Sequence, residues 1–298
     1  MKDIHEGTPL EQIHDPVIES YGVELFIKRD DLIHPAISGN KWRKLKYNIE
    51  EAKRQKKRKL LTFGGAYSNH IYAVAYAGKR FGFETVGIIR GEEHLPLNAT
   101  LTYAKSVGME LLYMDRATFR KHDNEEIIEE LKQQLGDFYL VPMGGTNRFA
   151  IPGCMEIVKE VNAVTEEYDY ICSACGTGGT LAGIIVGMNN NKKVIGFPAL
   201  KGADFLSDDI NTLLHESEVD KAFNNWELNL DYHFGGYAKK KPELMSFIKG
   251  FQERTGVELE FIYTGKMMFG IYDLIQNGFF KRGEKVIAVH TGGLQVNH

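Results

Sequence analysis

Lys41 is the first residue whose surroundings suggest chemistry. It stands in Ser38-Gly39-Asn40-Lys41-Trp42-Arg43-Lys44, at the entrance to an amphipathic helix, with Lys44 one turn further on. A lysine held away from water loses basicity and becomes a usable nucleophile or base. A lone helical lysine is ordinarily a surface group, so the meaning of Lys41 depends on what the chain brings near it. Two glycine-marked loops are the candidates. Gly64-Gly65-Ala66-Tyr67-Ser68-Asn69-His70 offers a hydroxyl, an amide and an imidazole at the start of a helix, a seat for a carboxylate. Helix capping explains one of these three polar residues, not all of them.

The second loop is Cys175-Gly176-Thr177-Gly178-Gly179-Thr180. Its glycines let backbone N–H groups curl around an anion, and its threonines add hydroxyl donors. No lysine follows as in a Walker A loop, and the spacing fails G-x-G-x-x-G. A compact phosphate monoester therefore suits it better than a pyrophosphate. Taken alone, the loop reads equally well as a tight turn.

Short apolar runs alternating with helical patterns must position these loops. Strands are expected at Leu60–Phe63, Thr85–Ile89, Met109–Met114 and Phe138–Pro142. Between them lie helices at Asn69–Phe81, around Leu97–Val107 and at Glu125–Leu135. A second series follows: helix Pro152–Val164, strand Tyr168–Ser173, helix Thr180–Met188, and strands Val194–Phe197 and Glu284–Val289. Arg43–Arg58 reads as a helix ending in a basic, solvated run. This alternation implies an α/β fold of two open, twisted parallel sheets covered on both faces, with both loops at strand-to-helix junctions. Ligands of such sheets bind beyond the carboxyl ends of the strands.

Composition removes several other classes. The 298 residues are 43% hydrophobic and 26% charged, an ordinary globular balance near the size at which one core gives way to two lobes. A net charge of −4 gives no basic face for nucleic acid, and no apolar run approaches the roughly 20 residues of a membrane span. The N-terminus reads as free of a signal peptide, so the expected location is cytoplasmic. Cys154, Cys172 and Cys175 are too few for a disulfide framework. The Cys172/Cys175 pair lacks a second pair for zinc and reads as packing, and no metal site is expected.

The series S-G-N-K-x-R-K, G-G-x-x-S-N-H, G-T-G-G-T-x-A-G, Y-T-G-K and H-T-G-G resembles the D-cysteine desulfhydrase and 1-aminocyclopropane-1-carboxylate deaminase family. That family belongs to the tryptophan-synthase-β-like (type II) pyridoxal-phosphate enzymes. The likeness runs from about Phe26 to Gly293. It implies that Lys41 holds pyridoxal 5'-phosphate through an imine and later moves the substrate α-proton. Lys44 with Gly176, Thr177, Gly178, Gly179 and Thr180 would bind the phosphate, Asn69 the ring hydroxyl, and Thr291 would face the pyridine nitrogen. Ser68, Asn69 and His70 would receive the substrate carboxylate, Tyr263 and Tyr237 would line the substrate pocket, and Ser68 and both tyrosines would be catalytic beside Lys41. The surroundings of Tyr237 (Phe234-Gly235-Gly236-Tyr237-Ala238) depart from the family pattern. The resemblance also implies a large cofactor-binding domain from 1–44 and 146–298, a small inserted domain at 45–145, the cofactor in the cleft, and a homodimer.

Within the family, the deaminases carry a glutamate after the pocket tyrosine, where this chain has Thr264, and tend to have leucine at the Thr291 position. A hydroxyl beside the pyridine nitrogen favours a weaker electron sink, adequate for loss of a thiolate after α-proton removal. The expected reaction is therefore desulfhydrase-like β-elimination from a small amino acid, giving a 2-oxo acid, ammonia and sulfide. The alternatives are the cyclopropane-opening deaminase, or a phosphate-ligand binding protein without catalysis. A yellow protein whose lysine-linked spectrum vanishes in Lys41→Ala separates the enzymes from the last.

Overall fold

The computed structural model describes residues 4–5, 7–217, 219 and 221–297. In chain order it contains β1 (Leu10–Ile13), α1 (Pro16–Glu19), β2 (Glu24–Lys28), α2 (Asn40–Arg54), β3 (Lys59–Gly64), α3 (Asn69–Phe81) and β4 (Glu84–Arg90). Then come α4 (Ala99–Ser106), β5 (Met109–Met114), α5 (Arg116–Phe119), α6 (Glu125–Leu135), β6 (Tyr139–Val141), α7 (Ala150–Asn162) and β7 (Tyr170–Cys175). The chain closes with α8 (Gly179–Met188), β8 (Lys193–Pro198), α9 (Leu206–Glu216), β9 (Trp226–Leu228), α10 (Pro242–Thr255), α11 (Thr264–Gln276) and β10 (Lys285–Val289).

Two sheets result. One has six strands in the order β1-β2-β10-β7-β8-β9, and the other has four in the order β5-β4-β3-β6. Every pairing is parallel except that of β1 with β2, which makes an antiparallel edge beside the expected parallel sheet. The run Val286-Ile287-Ala288-Val289 shows why the centre of the larger sheet must be covered on both faces. Val286 and Ala288 enter the cluster built on α10 and α11, while Ile287 and Val289 enter the one built on α7, α8 and α9. Alternate side chains of a strand point to opposite faces, so a continuous apolar run has no solvent side. The smaller sheet repeats the logic: Leu60 packs with α2, α3 and α4, and Leu61 and Phe63 pack with α5 and α6.

Helix α2 begins three residues earlier than its apolar period suggests and ends at Arg54, so Lys41 sits in its first turn. Leu45, Ile49 and Ala52 tie it to the four-stranded sheet. Its other side crosses α7 so closely that a methyl group on Gly153 would lie 1.9 Å from the Arg43 carbonyl oxygen. A buried ion network fixes this crossing. Arg43 donates to both Asp30 oxygens at 3.0 and 3.1 Å and to both Glu160 oxygens, while Lys28 Nζ lies 2.7 Å from Glu160 Oε2. Burial by itself would raise Glu160, but Arg43 and Lys28 hold its carboxyl down to about 2. Asp30 also uses its backbone oxygen to hold the Gly39 N–H at 3.0 Å, tying the network to the turn that leads into Lys41.

Candidate active site

The carboxyl ends of β3, β4, β7 and β10 open onto one cavity of about 350 Å³, within the range of small-molecule sites. Lys41, Lys44, Ser68, Asn69, His70, the whole 176–180 loop, Tyr237, Tyr263 and Thr291 all line it. The chain thus brings every candidate residue of the sequence to one place.

The turn before Lys41 can exist only because residue 39 is glycine. Gly39 has φ 59°, and a methyl group there would sit 2.0 Å from the Thr291 carbonyl oxygen. This close approach seats the first turn of α2 against the 290–293 segment, where the Asn40 N–H donates to Thr291 O at 3.3 Å. Lys41 Nζ donates to Asn40 Oδ1 at 2.7 Å, and Asn40 Nδ2 donates to Thr180 Oγ1 at 3.0 Å. The amine and the glycine loop are therefore linked through one side-chain amide. Burial, aided by the like charge of Lys44, pushes the Lys41 ammonium down to about 7. Burial also lowers Lys44, to about 8.

Across the cavity the N-terminus of α8 is left open. Its cap is Gly178, at φ 77°, with no side chain accepting from the first turn. Gly179 has no room for a methyl group, which would fall 2.8 Å from Thr146 Oγ1. Lys44 Nζ donates to that Thr146 hydroxyl at 3.3 Å, and Thr146 in turn meets Thr177 Oγ1 at 2.5 Å. An uncapped helix start, two threonine hydroxyls and an ammonium form a dianion seat.

On the other loop, Ser68 Oγ accepts from the N–H groups of His70 and Ile71 as the cap of α3, which leaves its own proton free to donate. Asn69 Oδ1 is buried without a partner. His70 lines the cavity and is anchored through one ring nitrogen. Its Nε2 lies 2.8 Å from the Thr62 hydroxyl, which already donates to Val141 O, so Nε2 carries the proton and Nδ1 is left without a partner. Burial, with Lys41 and Lys44 nearby, holds its pKa well below 6.5, so the ring is neutral. Tyr263 packs over Gly176, where a methyl group would come within 3.2 Å of its ring. Its ring meets that of Tyr237 edge-on, with centroids 6.0 Å apart. Burial raises both phenols, so both stay protonated at neutral pH.

Some members of the site were given no role by the sequence. Asn40 stands in the Lys41 motif and Thr146 in none, and the fold places both between cation and loop. Glu260, fully buried, accepts the N–H groups of Ile262, Tyr263 and Thr264 at 2.6–2.8 Å and so fixes the backbone that carries Tyr263. Thr264 turns its hydroxyl to Glu260 at 3.1 Å and does not line the cavity. Lys266 is buried and donates to the carbonyl oxygens of Ala199, His233 and Gly236, pinning the irregular segment before Tyr237. Cys154, Cys172 and Cys175 are free and buried, as packing residues are.

A neutralised amine facing an open helix N-terminus, with an orphaned buried amide oxygen beside them, suits a phosphorylated aldehyde. The family model for pyridoxal-phosphate dependent enzymes matches residues 1–292. The chain belongs to that family. It is 32% identical, over 96% of its length and 89% of the relative's, to a putative 1-aminocyclopropane-1-carboxylate deaminase of Pyrococcus furiosus. It is 30% identical, over 97% of its length and 77% of the relative's, to the mitochondrial bifunctional D-cysteine desulfhydrase/1-aminocyclopropane-1-carboxylate deaminase of Arabidopsis thaliana. Among solved structures, the crystal structure of a 1-aminocyclopropane-1-carboxylate deaminase homologue superposes with a TM-score of 0.87 at 31% identity, covering 98% of this chain and 91% of that one. The protein is a pyridoxal-phosphate-dependent enzyme of the deaminase and D-cysteine desulfhydrase group. Among the described residues, no helix is long and apolar enough to cross a membrane.

Proposed function

We propose that this enzyme eliminates sulfide from a cysteine, converting it with water to a 2-oxo acid, ammonia and hydrogen sulfide. The bound cofactor supplies an electron sink for the carbanion formed at the substrate α-carbon. Lys41, with its pKa near 7, is suited to hold the cofactor and then to carry the α-proton on Nζ. Lys44 and the open start of α8 seat the phosphate. Ser68 and the N-terminus of α3 seat the substrate carboxylate, which fixes the α-C–H bond relative to Lys41 by orientation alone. His70, being neutral, supports this loop from beneath through Thr62. The protonated Tyr237 and Tyr263 face the side of the cavity left for the β-substituent and can donate to a departing thiolate.

One observation carries the choice of elimination over ring opening: among the described residues no Asp or Glu lines the cavity, whereas Thr291 does. Glu260 is near, but three backbone N–H groups engage its carboxylate. A hydroxyl such as that of Thr291 near the ring nitrogen would favour a neutral pyridine, sufficient when the substrate offers an acidic α-proton and a good leaving group. The test is an assay of sulfide and 2-oxo acid from D- and L-cysteine beside ammonia release from 1-aminocyclopropane-1-carboxylate. Sulfide from one enantiomer is expected. Ring opening without sulfide from either would refute the reading.

A further inference from the structure

Arg90 is the one cation of the cavity that the roles above leave unused. It is the last residue of β4, is exposed, and lines the cavity with Phe119 and Tyr237. β4 pairs in register with β3, Gly64 opposite Ile89, so Arg90 stands one residue beyond the partner of the glycine that opens the Ser68 loop. Neighbouring strands lie about 4.8 Å apart, and an arginine side chain easily spans the rest of the distance to a ligand seated on that loop. Among the described residues no carboxylate pairs with Arg90, and the following turn faces another cation, Arg116, whose guanidinium is 3.8 Å from where a Gly91 methyl group would be.

Among the described residues, the charged groups that line the cavity are Lys41, Lys44 and Arg90, with no Asp or Glu. Lys44 and the α8 terminus are placed for the phosphate, Lys41 would hold the aldehyde, and the Ser68 loop is placed for an α-carboxylate. Arg90 has no part in these contacts and reaches the cavity beside Tyr237, which the reading above sets against the substrate side chain.

We propose that Arg90 selects small amino acids that carry a second oxyanion on the side chain, within reach of a bidentate contact from its guanidinium. Arginine is suited to this because its planar fork matches a carboxylate or sulfinate with two parallel hydrogen bonds. Cysteine, on this view, occupies the site with the guanidinium unmatched, and its acidic analogues bind more tightly. The inference rests on the reading that the cavity takes an amino acid with its α-carboxylate on the Ser68 loop.

The experiment is a spectral titration of the pyridoxal-phosphate-loaded enzyme with both enantiomers of aspartate, asparagine, cysteine and cysteine sulfinate. It is run on the parent, Arg90→Met and Arg90→Lys. In the parent, aspartate should bind on the order of tenfold more tightly than asparagine, and cysteine sulfinate than cysteine, the scale of one charge-assisted pair at a partly exposed site. In Arg90→Met the two ratios should fall to near one, and Arg90→Lys should recover part of them. Parent ratios of one would overturn the proposal. So would ratios that survive in Arg90→Met while all affinities fall together, because Arg90 would then hold the α-carboxylate. If cysteine releases sulfide and no acidic preference exists, only the Arg90 assignment fails. If no amino acid changes the spectrum, the amino-acid reading of the cavity fails with it.

Discussion

The depressed basicity of Lys41 gives a prediction that can be worked through in numbers. An amine with the ordinary value of 10.5 is about 0.03% unprotonated at pH 7, whereas one near 7 is about half unprotonated. The reactive fraction thus rises on the order of a thousandfold. Pulsed reductive methylation of the apo-enzyme with formaldehyde and cyanoborohydride, read peptide by peptide in a mass spectrometer, measures it against added N-acetyl-lysine. Labelling of Lys41 should reach half its maximum near pH 7, some three pH units before the reference. Because burial is the larger cause and the Lys44 charge the smaller, Lys44→Met should move the midpoint up by less than half of that gap. The same shift has a stability consequence. Between pH 7 and 10.5 the unfolded chain binds the proton that the folded chain has lost, so apo-enzyme stability rises with pH across this window, and the penalty is complete below pH 7. Lys41→Met removes it. The variant apo-enzyme should melt above the parent at pH 7, with the difference shrinking towards pH 10.5. Labelling of Lys41 in step with the reference, or a variant that melts below the parent at pH 7, would refute the reasoning.

Two other perturbations follow from the packing. Gly39→Ala places a methyl group 2.0 Å from a backbone oxygen in a left-handed conformation, so the Lys41 turn must leave the 290–293 segment. Spectral titration of the apo-variant should show affinity for pyridoxal phosphate at least tenfold weaker, at a cost of about 2–4 kcal/mol from strain and overpacking. Arg43→Met leaves Asp30 and Glu160 to share Lys28 as their cation, with Thr8 as a neutral donor to both, and breaking a buried network from one side costs about 3–5 kcal/mol. Its thermal midpoint should fall by roughly 10 °C, and an unchanged midpoint would show that the network contributes nothing.

Most of the fold between Lys59 and Met188 was legible because its elements are long enough to show a period and are separated by turn residues. Helix α3 was placed at both ends, Asn69 and Phe81, since Ser68 caps one and Gly82, in the left-handed region, closes the other. β1, β2 and β9 left no such mark. β2 carries Lys28 in a position that reads as solvent-facing, yet its ammonium is buried among Thr8, Asp30 and Glu160. β9 is a three-residue edge, and α9, α10 and α11 lie in stretches where loops of irregular backbone interrupt the pattern. Phe234, Gly235, Gly236 and Ala238 all have positive φ, which explains why the Tyr237 surroundings matched no familiar signature.

The site was legible to the extent that its residues sit next to glycines. Lys41, Ser68, Asn69 and the 176–180 loop announce themselves because the backbone must turn sharply or admit a ligand there. Glu260, Thr146 and Arg90 act from ordinary local sequence, and Lys266, though it ends the Y-T-G-K motif, was given no role there; only tertiary structure gives them work. Their charges also explain how one pocket can hold both a reactive amine and several anions. Arg43 is kept out of the cavity by Asp30 and Glu160, and Glu260 by the amides of residues 262–264. Two potential competitors, a cation that would bind the phosphate elsewhere and a carboxylate that would pair with Lys41, are thereby engaged outside the pocket. What remains inside, beside Arg90, is a pair of low-pKa amines one turn apart, where the charge of Lys44 makes Lys41 harder to protonate. Phosphate binding at Lys44 should therefore favour its ammonium and leave Lys41 as the neutral partner, so that the group that seats the cofactor also prepares the group that holds it.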